Sequence, residues 1–66
     1  MANEITIRLR MPEIEAEALA QVCKRFTYED ATRFANRFDG GRERDAILDA
    51  TSTLGRALAE AGFAPR

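Results

Sequence analysis

The sequence predicts a small α+β domain, mostly α, with one N-terminal strand followed by three helices (β-α-α-α) over residues 1–66. Three observations carry this reading. Residues 4–10 alternate apolar and polar side chains at period two. Three later segments repeat their apolar positions at helical spacing. Glycine and proline, Gly55 excepted, fall only between these segments, at Pro12, Gly40-Gly41, Gly62 and Pro65.

In the first segment Ile5, Ile7 and Leu9 alternate with Thr6, Arg8 and Arg10, the pattern of a strand with one buried and one wet face. Pro12 ends it and suits the first turn of a helix, where a missing N–H is harmless. The first helix, about 12–25, carries Glu13, Glu15 and Glu17 at its start and Lys24 and Arg25 at its end, matching the macrodipole. Its apolar positions are Ile14, Ala18, Leu19, Val22 and Cys23, with Phe26 just beyond. Thr27 followed by Asp30 is a capping-box pattern opening a second helix, about 28–37, that presents Ala31, Phe34 and Ala35, with Phe38 after it. Asp39-Gly40-Gly41 breaks the chain.

The third helix, about 42–61, places Ala46, Ile47, Ala50, Leu54, Ala57, Leu58 and Ala61 on one stripe. Gly62 as the left-handed residue, Phe63 able to pack back on Leu58, and Pro65 beyond form a complete stop signal. Gly55 inside this helix weakens it by about 1 kcal/mol against alanine. Its presence points to the close approach of another element, or else to a hinge.

The strand poses a problem of its own. A lone strand leaves its backbone groups unpaired, and an open edge invites another chain. Either a short piece around residues 36–42 pairs with it, or it pairs with another molecule. In a two-fold homodimer, strands 4–10 would set Ile5, Ile7 and Leu9 over the helices and turn Thr6, Arg8 and Arg10 outward from both chains.

Size and composition narrow the function. A chain of 66 residues sits at the lower edge of independent folding and commonly needs a staple. Cys23 is the single cysteine and histidine is absent, so neither a disulfide nor an ordinary metal site is available, and a partner chain is the staple that remains. A net charge of −1 supplies no basic field toward nucleic acid or membrane. Apolar runs are too short for a membrane span, and the N-terminus lacks the pattern of a signal peptide. The expected location is the cytoplasm, with no membrane partner.

Catalytic constellations that need histidine are ruled out, and no glycine-rich phosphate loop is present. The expectation is a protein that is not an enzyme and takes no cofactor or metal. Two carboxylate pairs, Glu13/Glu17 and Asp45/Asp49, lie four residues apart on helical faces. Like charges so placed repel by a few tenths of a kcal/mol, which suits solvated faces or faces that meet something basic. Arg33, Arg37, Arg42 and Arg44 cluster around the glycine break among Asp30, Asp39, Glu43 and Asp45. They read either as local charge balance or as a contact for an acidic partner. Cys23 and the aromatics Tyr28, Phe34, Phe38 and Phe63 read as core.

Two resemblances bear on function. Strand 4–10 and the junction Arg-Met-Pro-Glu at 10–13, with the two helices as far as residue 36, are similar to ribbon-helix-helix DNA-binding repressors. That likeness implies a dimeric DNA-binding regulator with base contacts from Thr6, Arg8 and Arg10 and a phosphate contact near Thr27. The third helix has no counterpart in it. The pieces Ala-Leu-Ala-Gln-Val-Cys-Lys-Arg (18–25) and Arg-Ala-Leu-Ala-Glu-Ala-Gly-Phe-Ala-Pro-Arg (56–66) resemble a family of short uncharacterised proteins of proteobacteria and their phages. This second likeness implies a mobile-element setting, in which small proteins act by protein–protein contact, including inhibitors of host defence of the anti-CRISPR kind. The leading expectation is such a binding protein, with the carboxylate pairs and the arginine cluster as its contact residues.

Overall fold

In a computed structural model describing residues 3–36 and 38–63, three helices follow one another: α1 (Glu13–Arg25), α2 (Tyr28–Phe34) and α3 (Arg42–Glu60). Pro12 is the N-cap of α1 with extended backbone, and its carbonyl accepts from the N–H groups of Glu15 (3.0 Å) and Ala16 (3.2 Å). α2 opens on a complete capping box. The Asp30 N–H donates to the Thr27 hydroxyl at 3.2 Å, and the Thr27 N–H donates to the Asp30 carboxylate at 2.9 Å. α3 closes on a Schellman motif, with Phe63 N–H donating to Leu58 C=O (2.8 Å) and Gly62 N–H to Ala59 C=O (3.0 Å). Gly62 takes the left-handed φ of 98° that this motif requires. Pro65 lies outside the described residues.

The predicted N-terminal strand is not formed. Among the described residues there is no strand at all, so the β-α-α-α reading gives way to an all-helical fold. Residues 3–11 form an arm with no hydrogen bond to the rest of the described chain. The alternating pattern is present, yet no segment among the described residues lies alongside to complete a ladder, and a strand exists only as part of one. The apolar side chains meant for a buried sheet face stand in the open, Ile5 at 80%, Ile7 at 69% and Leu9 at 61% exposure.

The second helix is shorter than predicted, ending at Phe34 rather than near Arg37, and Arg37 itself lies outside the described residues. Ala35 leaves the helix with extended backbone (ψ 157°), and the Asn36 side chain accepts the Phe38 N–H at 2.9 Å. Such local side-chain turns compete with helix continuation.

α3 is the spine. α1 packs along its C-terminal half and α2 along its N-terminal half, while α1 and α2 form no helix pair. Ala16, Ala20 and Leu58 make the core cluster, with Met11, Leu19, Cys23, Leu54 and Phe63 packed around it. The predicted stripe of α1 packs in part: Leu19 and Cys23 lie against the core, but Ile14 and Val22 are exposed and the most buried positions are Ala16 and Ala20. The reason is distance. At the crossing the Cys23 Cβ lies 3.5 Å from where a side chain on Gly55 would begin, and helices this close favour small residues at the point of contact. Gly55 therefore marks a close approach of α1.

This leaves very little interior. Ala16, Ala20, Ala31 and Leu58 are the buried hydrophobic residues among those described. The molecule is a thin slab, 37 × 27 × 15 Å, with a radius of gyration of 13.1 Å. A compact domain of this length would have a radius near 11 Å.

Candidate functional site

Two surfaces carry the chemistry this chain offers: the α2–α3 junction and the groove between the N-terminal arm and α3. At the junction, Asp39 organises the turn. One carboxylate oxygen accepts the Gly41 N–H at 3.0 Å and the other the Glu43 N–H at 2.9 Å, so Asp39 caps α3 although the N-cap residue is Gly41. Gly41 has a left-handed φ of 86°, and a Cβ there would fall 2.6 Å from the Arg44 guanidinium. That guanidinium sits over the Tyr28 ring, 4.5 Å from its centroid, and also pairs with Asp45 at 3.1 Å. Glycine thus lets Arg44 fold back and pin α2 to α3 by a cation–π contact.

On the outer side of the junction, Arg33 pairs with Asp30 at 2.8 Å. The Asp30 carboxyl titrates below the ordinary carboxylate range, chiefly because the Thr27 N–H donates to it, then because of the Thr27 hydroxyl and the Arg33 guanidinium. Two aromatic rings expected in the core stand out in solvent here instead. Phe34 is 70% exposed, stacked on Phe26 at 6.3 Å, and Phe38 is 95% exposed. Tyr28 is also largely exposed beneath Arg44.

The predicted contact residues fall apart into separate roles. Arg33 and Arg44 are engaged in local structure, Arg42 is exposed at the start of α3, and Arg37 is outside the described residues. Glu13 and Glu17 are exposed on α1 near the C-terminal end of α3, whereas Asp45 and Asp49 are exposed toward its N-terminal end. The two carboxylate pairs do not form one acidic face. Thr6, Arg8 and Arg10 are exposed along the arm. Thr27, read as a phosphate contact, has its hydroxyl committed to the capping box, and Asp30 already supplies an anion at the α2 N-terminus. Sequence reasoning missed Asp39 as a cap and Phe34 and Phe38 as surface residues. The Asp-Gly-Gly run was a signal for the first; nothing local marked the second.

The second surface is a groove of about 930 Å³. Ile5, Ile7, Leu9 and Met11 line one wall, and Ala50, Leu54, Ala57, Ala61 and Phe63 the other, with Arg10 at its edge. No three potential metal-ligating side chains gather among the described residues, and none of the described helices is long and apolar enough to cross a membrane.

The fold and these surfaces define a small three-helix chain whose distinguishing features are open apolar surfaces. The chain belongs to a family of unknown function, DUF7706, whose model matches residues 1–66. No curated protein and no solved structure matches it.

Proposed function

We propose that this protein is a non-enzymatic binding module that acts by protein–protein contact, with the α2–α3 junction as its working surface. The observation that carries the reading is the exposure of Phe34, the last residue of α2, and of Phe38, just before the Asp39 cap, between helices that the Arg44–Tyr28 stack holds together. A phenylalanine left in water forgoes about 1.5–3 kcal/mol of burial, and aromatic side chains on a rigid support are what interface centres are built from. Arg42, exposed at the start of α3, suits a carboxylate beside an apolar cleft on the target. The setting we assign is a mobile-element protein of the defence-inhibitor type, a reading supported by the small size and by the likeness of residues 18–25 and 56–66 to short phage and proteobacterial proteins.

The test is affinity capture from host cells with the wild type, Phe38→Ser and Ser52→Asp, followed by calorimetry with the purified candidate. The reading requires a defined protein that binds the wild type and Ser52→Asp, and whose affinity for Phe38→Ser is lower by at least about 30-fold. A gel shift at about 150 mM salt runs beside it. Sequence-specific nanomolar duplex binding that is lost in Arg8→Ala and Arg10→Ala would replace this reading with a DNA-binding regulator.

A further inference from the structure

The groove between the arm and α3 is a different surface from the junction, and the area of the molecule says what fills it. The chain exposes 5946 Å². Folded monomers of its 7.4 kDa mass expose about 4,200 Å², so roughly 1,700 Å² too much is left in water. Equivalently, folding removes only about 45% of the extended-chain surface where about 60% is usual. Disulfides are unavailable to compensate, since Cys23 is the single cysteine. The missing burial is the size of one partner's share of an obligate interface, which spans about 2,000–5,000 Å² in total.

The groove is also complementary to itself. Its arm wall is bulky (Ile5, Ile7, Leu9), and much of its α3 wall is small (Ala50, Ala57, Ala61). Within one chain these do not close on one another, because all three arm residues remain more than half exposed. Two copies related by a two-fold axis can seat each bulky arm on the other's small-residue wall, the condition for an isologous interface. Charge agrees. Arg8 and Arg10 make no ion pair among the described residues, while Glu13, Glu15, Glu17 and Glu60 are exposed on helix ends that adjoin the groove.

We infer that the groove is the interface of an obligate homodimer, each copy's residues 5–9 filling the α3 wall of the other. Sedimentation equilibrium and thermal melts on the full chain from about 1 to about 100 μM test this. The expected result is twice the 7.4 kDa chain mass and a melting temperature that rises with concentration. In a mixture of isotopically labelled and unlabelled chains, filtered NOEs should join the Ile7 and Leu9 methyls of one chain to the Ala57 and Ala61 methyls of the other. Ile7→Asp and Ala57→Glu each change an exposed position, so they leave the single chain's contacts intact and should raise the dimer Kd at least about 30-fold. Ser52→Asp, off the groove, should not. A monomer with a concentration-independent melt overturns the inference. So does a dimer indifferent to both groove substitutions, or one without the interchain NOEs. None of these readouts depends on the junction, so the homodimer and the proposed target binding can fail separately.

Discussion

Replacing Gly55 with alanine tests the packing of α1 on α3 directly. The residue lies inside α3, so alanine gains about 1 kcal/mol in helix propensity. The new methyl would stand 3.5 Å from the Cys23 Cβ, an ordinary van der Waals separation that adds a further 0.1–0.2 kcal/mol, roughly, per atom pair. Nothing has to move. The net expectation is a stabilisation of about 1 kcal/mol. With an unfolding entropy near 2.1 cal/mol/K per residue, a chain of 66 residues gains about 7 °C in melting temperature. Circular dichroism melts of wild type and Gly55→Ala at one matched concentration measure it, the matching being needed because association also moves the midpoint. Gly55→Leu is the companion, since its longer side chain must enter the space held by Cys23 and should destabilise by about 1–3 kcal/mol. A Gly55→Ala melt equal to or below the wild type would overturn this packing geometry, because it would mean that α1 crosses α3 more closely than a methyl group allows.

Three further outcomes follow from the caps. Gly62→Ala places a Cβ on a residue with φ of 98° and should destabilise by about 1–2 kcal/mol, read by urea titration. Gly41→Ala adds the same kind of strain and drives its methyl into the Arg44 guanidinium; it should lower the melting temperature and change the fluorescence of Tyr28, the single tyrosine, as the stack over its ring is lost. Asp30, whose pKa is depressed in the folded chain, contributes stability that is present above the ordinary carboxylate pKa of about 3.9 and is lost as pH falls through the lower folded value. Melts of wild type and Asp30→Asn should therefore converge on acidification, and the difference between them should persist at neutral pH.

The features legible from residue order are local. The three helices, the Thr27–Asp30 box and the Gly62–Phe63 stop all depend on groups within about six residues of one another, and each was legible from residue type and spacing. The family membership is likewise a property of the sequence alone. The remaining features depend on contacts between distant segments. The alternation of residues 4–10 states what a strand would look like, but a strand is a relation between two segments, and the described residues hold no second one. The choice of packing face depended on how near α1 comes to α3. Leu19 and Cys23 of the predicted stripe pack on the core, while Ala16 and Ala20 take the most buried positions and Ile14 and Val22 stay exposed, so hydrophobic spacing placed the packing face only in part. The arginine cluster was visible as a cluster, yet its division into a brace (Arg44), a surface pair (Arg33) and an exposed charge (Arg42) followed from which acids and rings lay within reach. Phe34 and Phe38 looked like core because phenylalanine usually is. They stand outside because a slab 15 Å thin has almost no inside to receive them.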